Sequence, residues 1–315
     1  MTDVWSDLED LRCVVAEGPR GRRVLVTLMA EYWLQEGAMA PSGALVDLMS
    51  VMDVSPSATR TLLSRLSREG RLSAVKEGRR TFYALSAKAR QRLTEGFDVI
   101  RVFGSEHGSA DPEWTTLLFS IPEEQRAVRQ QLRKGLSWMW FAPLYDGAWV
   151  TPRHLGQQAI ALCHKLGVES ASLCRGSITA AGTGFGNPVD AWDLKLAREL
   201  YMSFSAILRE PLEDMRSGRL TPAEAMRART ETINVFRGFP RFDPDLPLGL
   251  LAEDWPRRAA RDAFAELYEG TTATSFDYVR KVVAEHSPAH VQDVSIRRLS
   301  PVEERHTASQ PPLTA

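Results

Sequence analysis

The chain has 315 residues, 43% of them hydrophobic and 25% charged, with a formal net charge of -1. That is ordinary globular composition, with room for two or three domains. No apolar run approaches the ~20 residues that cross a bilayer, and nothing at the N-terminus resembles a secretory signal. Three cysteines, Cys13, Cys163 and Cys174, are too few and too scattered for a disulfide framework or a zinc site, so a reduced cytoplasmic location is expected.

Residues 1–21 are polar with no clear periodicity and are expected to be a loose arm. From residue 22 to 35, Val24, Leu25, Leu28, Met29, Tyr32 and Trp33 form a helical stripe. After a break at 37–41, Ser42 can cap a short helix carrying Leu45, Leu48, Met49 and Met52. The turn Asp53-Val54-Ser55 leads to a second helix, the spacing of a helix-turn-helix. Ser55 can cap that helix, Pro56 suits its first position and Gly70 ends it. Ala58, Leu62, Leu63 and Leu66 are its predicted apolar stripe. Ser57, Arg60, Thr61, Ser64, Arg65 and Arg68 take much of the remaining surface, a short, polar and basic face suited to a DNA major groove. Thr59 is counted with the DNA-facing residues.

Residues 71–75 and 80–85 have strand composition around Lys76-Glu77-Gly78-Arg79, which contains the glycine that a tight hairpin requires. Lys76, Arg79 and Arg80 are placed at its tip, poised for phosphates. The order of parts is that of a winged helix-turn-helix. Between residues 20 and 103 basic residues clearly outnumber acidic ones, so a near-neutral chain carries one basic module on an acidic body. Ser86 caps a helix through Ala89, Leu93, Phe97 and Ile100. The loop at 103–112, rich in glycine and serine, marks the first boundary.

The next section reads strand (114–120), helix opening at Pro122, hairpin strands (139–144 and 148–151), helix (155–166) and strand (168–174). That is the order of a ferredoxin-like domain. The glycine-rich stretch at 182–188 lacks the lysine of a phosphate-binding loop and is expected to be a hinge first and a ligand loop second. Four helices follow, at 192–217, 221–236, 257–269 and 275–286, with Thr221-Pro-Ala-Glu224 forming a capping box. From Ser287 proline, charge and small polar residues dominate, and most of that tail is expected to be disordered. The fold class is therefore multidomain α+β. It comprises a winged helix-turn-helix at 22–103, a ferredoxin-like domain at 112–176 serving as a dimerisation scaffold, and a helical effector or dimerisation domain at 188–286. Loose termini occupy 1–21 and 287–315.

Several stretches together resemble the PaaX family of bacterial transcriptional repressors. Ser57-Ala-Thr-Arg-Thr-Leu-Leu-Ser-Arg-Leu66 with Glu77-Gly-Arg-Arg-Thr-Phe-Tyr83 is similar to its N-terminal domain. Residues 114–122, Phe141-Ala-Pro-Leu144 and Trp149-Val-Thr-Pro-Arg153 are similar to its central domain. Phe239-Pro-Arg-Phe-Asp-Pro-Asp-Leu-Pro247 and Asp254-Trp-Pro-Arg257 are similar to its C-terminal domain. The resemblance implies a homodimeric repressor of a catabolic operon, such as one for phenylacetate breakdown. It would bind a palindromic operator in double-stranded DNA and leave it when an acyl-CoA such as phenylacetyl-CoA occupies the body. No cofactor, metal, membrane partner or enzymatic activity is expected.

A CoA thioester needs cations for its phosphates and an apolar slot for its acyl group. Arg175, Arg198, Arg237 and Arg241, with Trp192 and Tyr201, are the candidate effector-binding residues, and Arg227, Arg229, Phe204 and Phe236 lie in the same region. The alternative from another class is a divalent-metal nuclease, since the central section also resembles small CRISPR nucleases in which an aspartate ends the first strand. Here Ser120 stands at that place. Glu123 and Glu124 follow, and paired acids there more often complement a helix N-terminus than bind Mg2+. The six histidines show no metal-ligand spacing.

Overall fold

A computed structural model describes Leu11 and residues 19–105, 113–182 and 186–299. The first unit begins with α1 (Arg20–Tyr32), whose Val24, Leu25, Leu28 and Met29 are fully buried. The short strand β1 (Ala40–Pro41) leads into α2 (Ser42–Val51), which opens after Pro41 without a side-chain cap, so Ser42 is its first helical residue rather than its cap. Helix α3 (Pro56–Arg68) is built as its sequence dictates: Ala58 N donates to Ser55 Oγ at 3.3 Å, Pro56 occupies the first turn, and Gly70 leaves the helix at φ +66°.

Strands β2 (Leu72–Glu77) and β3 (Arg80–Leu85) pair antiparallel from Leu72 opposite Leu85 to Glu77 opposite Arg80. Gly78, at φ +60°, sits in the tight connection between them, a backbone state that glycine reaches without strain. Strand β1 adds to β3, giving a three-stranded sheet in the order β1-β3-β2. Helix α4 (Ala87–Val102), capped by Ser86, carries the chain away.

The second unit is β4 (Trp114–Ser120), α5 (Arg126–Trp138), β5 (Ala142–Tyr145), β6 (Ala148–Thr151), α6 (Gly156–Leu166) and β7 (Ser170–Gly176). Its four strands are all antiparallel, in the order β5-β6-β4-β7. Leu117 and Phe119 of β4 pack with Leu132 and Leu136 of α5 and with Ala159 and Cys163 of α6. The two helices thus share a core on one sheet face. Pro122 opens a short 3-10 turn, Glu123–Gln125, before α5 begins, rather than the helix itself.

The third unit is helical. Asp193 caps α7 (Leu194–Arg216), and the predicted capping box opens α8 (Pro222–Phe236), with reciprocal bonds between Thr221 and Glu224. Helices α9 (Arg257–Gly270) and α10 (Thr272–His286) complete it. Phe204, Phe236, Phe239, Phe264 and Tyr268 form an aromatic core, with Phe236 stacked on Phe264 at 4.0 Å between ring centroids.

The structure departs from the sequence reading at the tail. Residues 287–299 are not loose: a 3-10 turn, Pro288–Asp293, leads to an extended segment lying on the first unit. Ser295 N donates to Tyr32 O at 2.9 Å, Met39 N to Asp293 Oδ2 at 3.2 Å, and His290 stacks on Phe82 at 4.2 Å. Val279, Val282, Val283 and Val294 share one apolar cluster with the buried residues of α1, α2 and α3. The tail after Leu299 and most of the predicted N-terminal arm, including Cys13, lie outside the described residues.

Candidate nucleic-acid interface and ligand cavity

The turn between α2 and α3 is fixed by its backbone. Val54 N donates to Met49 O at 3.0 Å, and Asp53 adopts φ +57°, a left-handed state that aspartate tolerates better than most residues. Arg227 of α8 reaches this turn, donating to Asp53 Oδ2 at 2.5 Å and to Val51 O at 3.4 Å. The body thus grips the elbow from which α3 emerges.

Helix α3 buries Thr59, Leu63 and Leu66 and exposes Ser57, Arg60, Thr61, Ser64, Arg65 and Arg68. Thr59 is the correction: it is 0% exposed, and its hydroxyl donates back to Ser55 O at 3.1 Å. A threonine satisfied within its own helix packs as an apolar residue, so Thr59 does not face DNA. Ala58, predicted for the stripe, is exposed, and Leu62 is half-buried.

Glu69 at the end of α3 partly offsets the basic face. Its carboxylate accepts from Arg22 at 2.5 and 3.0 Å and from Arg65 Nε at 3.1 Å, while Arg71 Nε lies 3.5 Å away. The hydrogen bonds from Arg22, and secondarily those from Arg65, hold this carboxyl below the usual carboxylate range. Lys76, Arg79 and Arg80 are exposed at the hairpin tip. Glu77 lies among them, 3.8 Å from His290 Nε2.

The candidate effector residues do not form one site. Arg175 on β7 is tied to Glu113 Oε2 at 2.7 Å and to Thr115 Oγ1 at 3.2 Å. Trp192 stacks on Trp114 at 6.0 Å, and Arg198 pairs with Asp254 at 3.2 Å. Tyr201 is fully buried, donates to Asp243 Oδ2 at 2.9 Å and stacks on Phe239 at 4.5 Å; burial, first, pushes its phenol well above the ordinary value. Each of these side chains is committed to packing or pairing within the fold.

Arg237, whose Nη1 donates to Thr27 Oγ1 at 3.1 Å, and Arg241 line a cavity of about 600 Å³ where α1, α4, the end of α5 and the segment after α8 meet. Sequence reasoning missed the cavity's aromatic side, which includes Phe97, Trp138 and Trp140. Trp140 falls in the expected strand at 139–144, and Trp138 just before it. Their one local signal is two tryptophans separated by a single residue after an amphipathic helix.

The nuclease reading has no site to rest on. Glu123 accepts from Arg129 at 2.8 Å, Ser120 stands where an aspartate would be required, and among the described residues no three His, Cys, Asp or Glu side chains are grouped to hold a metal ion. The glycine-rich hinge includes residues 183–185, which lie outside the described residues.

Three family profiles match the chain in order: "PaaX-like protein" over residues 20–89, "PaaX protein central Cas2-like domain" over 107–184, and "PaaX-like protein C-terminal domain" over 192–281. The transcriptional repressor PaaX of Escherichia coli is 25% identical over 271 residues, covering 82% of this chain and 83% of that protein. A solved structure of an uncharacterized protein from Mycobacterium tuberculosis aligns at 20% identity with a TM-score of 0.49, covering 81% of this chain and 96% of the other. Three consecutive domain matches extend over most of the sequence, in the order the folded units take. The chain belongs to the PaaX family.

Proposed function

We propose that the protein is a DNA-binding transcriptional repressor that reads its operator through α3. The observation that carries this reading is the exposed face of α3, where hydroxyl and guanidinium groups stand together on a helix seated by a buried opposite stripe. In this reading Arg60, Thr61, Ser64 and Arg65 probe base edges, with Ser57 beside them. Arg68, Lys76, Arg79 and Arg80 hold phosphates, which position the protein without carrying sequence information.

The units are a winged helix-turn-helix (22–103), a ferredoxin-like central domain (112–176) and a helical effector domain (188–286). The helix-turn-helix followed by the β2–β3 hairpin supports the first assignment. The βαββαβ order with strand sequence β5-β6-β4-β7 supports the second. The protein acts as a homodimer on a palindromic operator, because one recognition helix reads only a few base pairs and two half-sites about one helical turn apart supply the missing affinity. An acyl-CoA of the phenylacetyl-CoA kind releases it, in keeping with a role in phenylacetate catabolism. The site of action is the cytoplasm; among the described residues no helix is long and apolar enough to cross a membrane.

Selection of bound fragments from random duplex DNA by the full-length protein, followed by fluorescence anisotropy, tests this. The expected result is an inverted repeat bound by two chains and released by phenylacetyl-CoA. Recovery of no sequence preference would sink the repressor reading.

A further inference from the structure

By composition residues 287–299 resemble an idle tail, yet the segment is anchored at both ends. It leaves α10 at His286, which lies over Gly43 of α2 with its Nε2 2.6 Å from Asp47 Oδ2. At the far end the Arg297 carbonyl accepts from the buried Arg229, Arg297 Nη1 donates to Leu93 O of α4 at 3.2 Å, and Leu299 N donates to Glu269 of α9. A span held at two ends can impose a position on what it touches, whereas a free tail follows it.

Between those anchors the segment grips the sheet of the first unit. Strand β1 is only Ala40 and Pro41, opposite Tyr83 and Phe82 of β3. Met39 N, just before β1, donates to Asp293 Oδ2 at 3.2 Å, and the His290 ring stacks on Phe82 at 4.2 Å with 27° between the planes. His290 Nδ1 lies 2.8 Å from Ser287 Oγ, and its Nε2 lies 3.8 Å from Glu77 Oε2. Side chains alternate along a strand, Val75 is opposite Phe82 and Glu77 is opposite Arg80. Phe82, Val75, Glu77 and Arg80 therefore share one face of the hairpin, and His290 sits on that face.

The hairpin needs such a hold. Two strands alone make a marginal ribbon in water, and of β2 only Leu72 is buried, with Val75 40% exposed. Phe82, by contrast, is 1% exposed, and the ring stacked on it comes from the strap. An aliphatic side chain could bury Phe82 equally well. A histidine held by Ser287 at one nitrogen and facing Glu77 with the other also fixes the direction in which the hairpin projects. A tilt at Phe82 is carried outward to the tip, where Lys76, Arg79 and Arg80 stand exposed.

We propose that the strap at 287–297 is the positioning element of the hairpin: His290 and Asp293 set the angle at which Lys76, Arg79 and Arg80 meet phosphates. The inference rests on the DNA-binding reading and adds to it which residues aim the hairpin. His290 and Asp293 do so without touching DNA; they act through Phe82 and through the backbone ahead of β1.

The salt dependence of duplex binding by the full-length protein tests this, because each phosphate contact adds about 0.9 to the slope of log affinity against log salt, whatever the base sequence. In His290→Ala and Asp293→Ala, each shown by circular dichroism to be folded at the assay temperature, the slope should fall by about two such contacts or more. Asp293→Ala frees the strap through a different bond, so it decides the matter should His290→Ala not fold. A double variant separates aiming from mere stability. Arg79→Ala should flatten the slope in the parent and change it little in the His290→Ala background, since a misaimed hairpin has little phosphate contact left to lose. Folded strap variants with the parent's slope would overturn the proposal, as would an Arg79→Ala effect of equal size in both backgrounds. Random-sequence DNA serves every arm. A parent that binds duplex without sequence preference would break the repressor reading while the strap is still judged by its slope, and a parent that binds no duplex would overturn both.

Discussion

The arginines of the reading head and those of the seam behind it are the same side chain used in opposite ways. On α3 and the hairpin, Arg60, Arg65, Arg68, Arg79 and Arg80 stand in solvent. In the seam Arg229 is fully buried: its Nε donates to Glu31 Oε2 at 3.1 Å, its Nη1 to Thr272 Oγ1 at 3.0 Å and to Tyr268 O, and its Nη2 to Arg297 O. Tyr268 returns a bond to Glu31 Oε2 at 2.6 Å and offers its ring to the guanidinium at 3.5 Å. The planar fork that suits a carboxylate inside the protein also suits a phosphate outside it. Surroundings, rather than residue type, divide architecture from recognition.

The contrast can be broken most forcefully from the seam. Arg229→Met leaves Glu31 buried without its cation and should cost about 3–5 kcal/mol in urea unfolding, with part of the loss recovered when Glu31→Met is added. Arg60→Met on the head should stay within about 0.5 kcal/mol in the same assay. Equal losses at both positions would erase the distinction.

On the head, the expected effects concern DNA. Loss of Arg60 or Arg65, the proposed base readers, should cost about 1–3 kcal/mol on the selected operator, measured by anisotropy. Arg79→Ala should weaken all duplexes alike and reduce the salt slope by about one phosphate contact. Thr59→Val should lower thermal stability modestly through its lost bond to Ser55 O, by about 1 kcal/mol, without altering which sequence is preferred.

The smallest effect is one of pH. Glu69, with its carboxyl held low by Arg22 and then Arg65, contributes its clamp above the ordinary carboxylate pKa and loses it as pH falls through the lowered folded value. Titration by NMR of the Glu69 side chain should show a midpoint below that of exposed glutamates in the same protein. Glu69→Gln should remove the acid-side loss attributable to this site. A midpoint in the usual range would mean that the clamp does not persist in solution.

Much of the head was legible because its signals are local. Ser55, Pro56 and Gly70 punctuate α3 within a few residues of where they act, and Thr221 with Glu224 does the same for α8. Thr59 was misplaced because counting apolar letters favours Ala58 and Leu62, whereas the helix turns Thr59, Leu63 and Leu66 inward and settles the hydroxyl on its own backbone. The tail through Leu299 was unreadable for another reason: its hold on the first unit is a set of scattered single contacts, among them Ser295 N to Tyr32 O, His290 on Phe82 and Val294 in the shared apolar cluster, which composition does not reveal. The cavity was hidden by distance. Phe97, Trp138 and Arg241 meet only in the fold, while Tyr201 and Arg198, plausible by type, are already engaged by Asp243 and Asp254.

The central claim is that α3 reads sequence while the hairpin holds phosphate. The most direct measurement is the ratio of affinities for the selected operator and a scrambled duplex of equal length, at several salt concentrations, in the parent protein, Arg60→Ala and Arg79→Ala. The account predicts that Arg60→Ala collapses the ratio by about tenfold or more, and that Arg79→Ala leaves the ratio intact while flattening the salt dependence of both duplexes. A ratio unchanged in Arg60→Ala, or reduced only in Arg79→Ala, would contradict it.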